Sequence, residues 1–259
     1  MTMLEVDEVG VRFGALRAVN GVSLTVDEGE LVGLIGPNGA GKTTFFNLLS
    51  GHYAPTEGTV RIDGTTIGGT PPWKVARAGV ARTFQNPRVF PKLTCLQNVE
   101  AALDPIGWRS WVTSARALRA TAQTWLEFVG MGELAGTSAG SLSYGYLRRL
   151  EIARACARRP RLLLLDEPAA GMNSSERADL TDLIRRINAT GTAVLLIEHN
   201  MPLVLGLCPR VAVLNFGELI ANGTPEEIRD DPAVVEAYLG AETSLDDEEA
   251  PAEPSEAGR

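Results

Sequence analysis

The run Leu31-Val32-Gly33-Leu34-Ile35 passes without a polar break into Gly36-Pro37-Asn38-Gly39-Ala40-Gly41-Lys42-Thr43, and this junction restricts the fold more than any other stretch of the chain. An uninterrupted apolar run suits a strand buried on both faces, as in the interior of a parallel sheet. The G-x4-G-K-[ST] spacing that follows is that of a phosphate-binding loop set between a strand and a helix. Its glycines let successive backbone amides turn toward a phosphate, the helix start adds positive potential, and Lys42 supplies a point charge. Thr43 can offer its hydroxyl to Mg²⁺, and Thr44 continues the passage from loop to helix.

Leu162-Leu163-Leu164-Leu165 reads as a second buried strand, and it ends in Asp166-Glu167. Ligands of open parallel sheets collect at the carboxyl ends of the strands. Asp166 is thereby available to hold Mg²⁺ through water, and Glu167 to orient or deprotonate an attacking water. A helical stretch from Ser175 to Asn188 and a strand from Ala193 to Ile197 complete a strand-helix-strand unit. His199 closes that strand after Glu198. If the two strands are neighbours, His199 lands beside the acids, where it can donate a hydrogen bond to a γ-phosphate. Taken alone, two acids at a strand end read as solvated groups and the histidine as structural; the loop at Gly36 favours the functional reading. His52 follows the loop's helix and has no matching partner.

Alternating Leu4, Val6 and Val9, and then Leu24 and Val26 before the turn Asp27-Glu28-Gly29, mark short strands. Thr59 to Ile62 with Asp63-Gly64 adds a hairpin. From about Val99 to Gly136 the pattern turns helical, with Trp108, Trp111, Leu118, Trp125, Leu126 and Phe128 on an Ala- and Arg-rich background. Ser143 is a suitable N-cap for a helix expected to run to about Arg159, where Pro160 stops it. Val211 to Leu214 forms a further strand, Gly217-Glu218 a turn, and helices are expected around Pro225 to Arg229 and Pro232 to Leu239. The fold class is α/β, with a mixed sheet, an N-terminal antiparallel β subdomain and an inserted helical subdomain at about residues 99–158.

With 259 residues and 44% hydrophobic content, the chain can build one large domain, or a core domain with a smaller subdomain. No apolar run approaches the roughly 18–20 residues that cross a bilayer, and Met1 to Asp7 lacks the start of a signal peptide, so a cytoplasmic location is expected. Cys95, Cys156 and Cys208 are widely spaced, which suits thiols filling small apolar sites rather than a metal or redox centre. The net charge of −8 argues against nucleic acid as a partner. Part of that charge lies in residues 242–259, an acidic, Pro-rich segment that cannot offset its ordering entropy by burial. A disordered tail is expected there, behind a domain of residues 1–241.

The order of phosphate loop, Gln85, Leu142-Ser143-Tyr144-Gly145-Tyr146, Asp166-Glu167 and His199 resembles the ATP-binding subunits of ABC transporters, over about Leu4 to Gly240. In that family the serine-glycine segment, usually LSGGQ, completes the ATP site of the opposite subunit in a head-to-tail dimer. Ser143 and Gly145 match it; Tyr144 and Tyr146 do not. Residues Ala81 to Phe90, Glu167 to Asn173, Ile197 to Met201 and Ala237 to Gly240 look like one branch, the ATPases for uptake of branched-chain amino acids, in the larger of their two ATPase subunits. Tyr144 is common in that branch, whereas Tyr146 is unusual even there.

The resemblance implies a P-loop NTPase core that holds ATP and Mg²⁺ through Gly36, Pro37, Asn38, Gly39, Ala40, Gly41, Lys42, Thr43 and Thr44, with Asp166 on the metal. It implies catalytic roles for Glu167 and His199, contact of Gln85 with Mg²⁺ or the attacking water, and stacking of Phe13 on adenine. Ser143 and Gly145 would act across the dimer, Ala169 to Asn173 would lie at its seam, and the stretch holding Trp108, Trp111 and Trp125 would receive a short helix of a membrane subunit. The implied partners are transmembrane permease subunits, a second ABC ATPase subunit of the same or a different kind, and indirectly an extracytoplasmic solute-binding protein. Urea- or lipopolysaccharide-handling transporters have similar ATPase subunits and remain open. A soluble ABC ATPase acting on nucleic acid or ribosomes would bring a second cassette or a long coiled coil, and neither is in the sequence.

Overall fold

The computed structural model describes residues 1–103 and 115–246, without the side chains of residues 240–246. Along the chain come β1 (Thr2–Phe13), β2 (Leu16–Asp27), β3 (Leu31–Ile35), α1 (Lys42–Leu49), β4 (Glu57–Ile62), β5 (Thr65–Thr66), α2 (Pro72–Arg77), β6 (Val80–Arg82), α3 (Cys95–Leu103), α4 (Ala115–Phe128) and α5 (Tyr144–Ala157). They are followed by β7 (Leu162–Asp166), α6 (Ser174–Asn188), β8 (Ala193–Ile197), α7 (Met201–Leu207), β9 (Arg210–Asn215), β10 (Glu218–Gly223), α8 (Pro225–Asp230) and α9 (Pro232–Asp246). The strands form a four-stranded sheet in the order β2-β1-β4-β5 and a six-stranded sheet in the order β10-β9-β3-β8-β7-β6. The first is antiparallel throughout, and the second is parallel except for β10 at its edge. This is the mixed sheet with an antiparallel β layer that the sequence implies.

The unbroken apolar runs follow from what lies on each face of the larger sheet. Leu34, Leu162, Leu164, Leu195 and Ile197 point toward the antiparallel layer and the Phe45 and Phe46 rings of α1. Their sequence neighbours Ile35, Leu163, Leu165, Val194 and Leu196 point to the other side, onto the helical core that includes Leu126, Leu150 and Ile184. Side chains alternate between faces along a strand, so a sheet covered on both sides needs apolar residues at every position. Phe45 is fully buried between the two sheets. Phe45→Ala is therefore expected to lower the unfolding free energy by about 3–5 kcal/mol, seen as an earlier denaturation midpoint at unchanged slope.

Three helix boundaries differ from the sequence reading. α6 starts at Ser174, because Asn173 accepts the Glu176 amide while the Glu176 carboxylate accepts the Asn173 amide, a reciprocal cap. α5 ends at Ala157, and its N-cap is Ser143 as expected, but the Ser143 side chain makes no capping hydrogen bond. α9 continues through Glu242 to Asp246, and the rest of the segment read as tail lies outside the described residues. Trp108 and Trp111 are also outside them, whereas Trp125 packs edge-on against Phe128 at 5.4 Å beside the helical core. Among the described residues no helix is long and apolar enough to cross a membrane. The three thiols are free and buried, and burial pushes those of Cys156 and Cys208 up to about 12.

Candidate functional site

β3 lies between β8 and β9, and α1 begins at Lys42, so the loop between them sits at the carboxyl edge of the sheet. The backbone path at each end of the loop admits only glycine. At Gly36, with φ 149°, an added Cβ would stand 2.0 Å from the Leu214 carbonyl oxygen; at Gly41, with φ 96°, it would stand 2.4 Å from that of Ala18. The Lys42 ammonium lies across the loop and donates to the carbonyls of Gly36 at 2.6 Å and Pro37 at 2.8 Å. Burial pushes its pKa down, and the nearby Glu167 carboxylate opposes this. Asn38 to Thr44 line a cleft of about 410 Å³, closed by Leu16, Arg17 and Ala18 of the β2 strand region, Glu167 and the exposed Phe216. Larger hollows of about 710 and 580 Å³ exist elsewhere. They are not lined by the glycine-rich loop and its lysine, and chemistry rather than volume selects the cleft.

Register brings the acids to this edge. β7 and β8 are parallel neighbours with Asp166 opposite Ile197, and the Glu167 amide donates to the Ile197 carbonyl at 2.9 Å. Glu167 therefore leaves the strand at φ 43°, a left-handed conformation uncommon for a residue with a side chain. Its Oε2 accepts from Gln85 Nε2 at 2.8 Å and lies 3.7 Å from His199 Nδ1. The loop lysine, Gln85, Glu167 and His199 are thus one cluster, built from four separate segments. His199 is mostly exposed, held by the strand end rather than by packing.

Asp166 is held more tightly. Its Oδ2 pairs with Arg82 at 2.7 Å, and Arg82 donates also to Asn47 Oδ1 and Ser50 Oγ of the α1 end, both at 2.8 Å. The sequence reading did not single out Arg82; a lone arginine at the end of the short apolar stretch Val80-Ala81 is the signal that was present. It also passed over Arg148 and Glu151 of α5. Arg148 is completely buried, donates to the carbonyls of Phe84 and Gln85, and pairs with Glu151 at 2.9 Å. Glu151 accepts the amides of Phe84 at 3.3 Å and Arg88 at 2.9 Å, while burial pushes its carboxyl pKa up. Glu198 is a third buried acid outside the earlier reading, raised chiefly by burial and accepting the Ala169 amide at 2.8 Å.

Three residues expected at a nucleotide site are not walls of this cleft. Phe13 is half-exposed at the end of β1 with its ring edge-on to Tyr53 at 5.1 Å, and the adjoining hairpin gives the cleft Leu16, Arg17 and Ala18 instead. Ser143 and Gly145 stand at the start of α5, where a Cβ on Gly145 would lie 3.1 Å from the Glu176 carboxylate. Among the described residues no group of three or more His, Cys, Asp or Glu side chains could hold a metal ion unaided. The exposed Thr43 hydroxyl, Asp166 and Gln85 instead fit Mg²⁺ arriving with a nucleotide, since that ion takes one or two protein ligands and completes its shell with phosphate and water.

A family model described as ABC transporter matches residues 19–170, and a second, described as branched-chain amino acid ATP-binding cassette transporter, matches residues 218–243. The high-affinity branched-chain amino acid transport ATP-binding protein BraF of Pseudomonas aeruginosa is 48% identical over 249 residues, 92% of this chain and 98% of BraF. LivG of Escherichia coli, a protein of the same description, is 45% identical over the same shares of both chains. Among solved structures, an ATP-binding cassette of an ABC transporter in its ADP conformation superposes with a TM-score of 0.84 at 30% identity, over 93% of this chain and 99% of that one.

Proposed function

This chain belongs to the ABC transporter family, and we propose that it is the ATP-hydrolysing subunit powering import of branched-chain amino acids. The observation that carries the chemical half of this reading is the convergence of Gln85 and His199 on the Glu167 carboxylate, beside the loop that holds Lys42. The loop amides and Lys42 would bind the β- and γ-phosphates, and the Thr43 hydroxyl, Gln85 and Asp166 would hold Mg²⁺. That ion, when bound, neutralises charge developing on the transferred phosphoryl group. Glu167 accepts a proton from the attacking water, Gln85 fixes the carboxylate's orientation, and His199 donates to the γ-phosphate as negative charge grows on it.

Ser143 and Gly145 act on the nucleotide of a second ATPase subunit. Their absence from the walls of this chain's own cleft supports that role, as does the Ser143 hydroxyl, which makes no capping hydrogen bond at the start of α5. Binding of ATP between two such subunits closes them, hydrolysis reopens them, and permease subunits convert the motion into transport. The chain then works at the inner face of the membrane, attached through its permeases, and need not touch the solute. Removing the chain from its native cell is expected to abolish most uptake of radiolabelled leucine, isoleucine and valine at low external concentration. Unchanged uptake of all three with lost uptake of urea would move the assignment to an amide transporter.

A further inference from the structure

The phenol at the first position of α5 stands where the family segment usually has glycine, and its hydroxyl bonds to the backbone of Gln85 in this chain's own cluster around Glu167. We propose that Tyr144 is a positioning residue for Gln85. The Tyr144 hydroxyl donates to the Gln85 carbonyl at 3.1 Å and accepts from Arg148 Nη2 at 3.0 Å. The same Arg148 nitrogen donates to the Gln85 carbonyl as well, closing a three-membered set of hydrogen bonds. Gln85 lies in the connection between β6 and α3, outside any strand or helix, so the sheet and helix ladders do not hold it. Its backbone position is set instead by α5, through Tyr144, Arg148 and the grip of Glu151 on the amides of Phe84 and Arg88. From that carbonyl the Gln85 side chain reaches Glu167 Oε2 at 2.8 Å.

Space filling does not account for the hydroxyl. Tyr144 is 38% exposed, so its oxygen has water available, yet it is directed at the carbonyl of Gln85, whose side chain reaches the Glu167 carboxylate. Tyr144 also follows Ser143 directly, and its ring lies 3.9 Å from a Cβ built on Gly171 of the segment after Glu167. Seating of Ser143 on a second subunit's nucleotide would therefore reach Gln85 through a single side chain. This rests on the reading above that Gln85 orients Glu167 for hydrolysis.

Tyr144→Phe removes one oxygen and keeps the ring. Single-turnover hydrolysis of Mg-ATP by the purified full-length chain, which reads slow rates over hours, is expected to slow about fivefold, the worth of one neutral hydrogen bond. The ATP concentration for half-saturation and the melting temperature should not move. In a Gln85→Ala background the same substitution should make no further difference, because the backbone carbonyl remains but the side-chain amide through which its position reaches Glu167 is gone. An unchanged rate in the single variant, or an equal fivefold loss in the Gln85→Ala background, overturns the proposal while the parent's turnover leaves the assignment as an ATPase standing. Absence of hydrolysis by the parent alone and with its permeases would instead overturn that assignment.

Discussion

Replacing Glu167 by Gln is expected to slow ATP turnover by about a thousandfold and to leave ATP affinity within about twofold of the parent, the loss that follows when a general base is removed without altering its shape. The amide keeps the length and planarity of the carboxylate, and its oxygen can still accept from Gln85 Nε2, now 2.8 Å away. Basicity is what it loses. The backbone supports this separation of effects, since the strained φ of 43° at Glu167 is fixed by the Ile197 carbonyl and not by the side chain. In the proposed reading nucleotide affinity comes from the other side of the cleft, from the amides of the loop and from Lys42. The measurements are single-turnover phosphate release and equilibrium binding of labelled ATP. Turnover within threefold of the parent would show that Glu167 does not take the proton, and His199, 3.7 Å from it, would be the next candidate.

The sequence discloses those parts of the site whose chemistry is written locally. The junction at Ile35 and Gly36 declares strand, loop and helix within a dozen residues, and the leucines before Asp166 declare burial on two faces. The partners that fix the site are written nowhere locally. Arg82 meets Asp166 across 84 positions, and Arg148 meets the Gln85 carbonyl across 63. Arg148 and Arg149 are indistinguishable as sequence, two basic residues on a helix. Only the packing of α5 sends the first inward at 0% exposure and leaves the second at the surface with Asp179. The Asn173 and Glu176 cap was legible as a spacing, yet the helix was read from Ser175, one residue after its start at Ser174. Phe13, which the resemblance puts against adenine, is half-exposed with its ring edge-on to Tyr53, a contact no local sequence pattern announces.

Lys42→Ala is expected to weaken ATP binding about a hundredfold and to bring turnover below detection, while the melting temperature stays level or rises. The first effect follows from charge-assisted hydrogen bonds to phosphate, each worth about 1.5–3 kcal/mol. The second follows from the same burial. Lys42 is only 7% exposed, and burial lowers its pKa, so the folded protein holds the charged form at a desolvation penalty. Two carbonyls, of Gly36 at 2.6 Å and Pro37 at 2.8 Å, offset that penalty when no phosphate is there, so removing the charge relieves about as much as it unpairs. Lys42→Arg separates charge from shape. A guanidinium keeps the charge but is planar, longer and directional. It has to fit beneath a backbone that already excludes a single methyl group at Gly36 and Gly41. Arginine should therefore fail nearly as badly as alanine, in binding and in turnover alike. If the arginine variant binds ATP as the parent does, the loop has slack, and the tight backbone contacts at its two glycines are not what sets the phosphate's position.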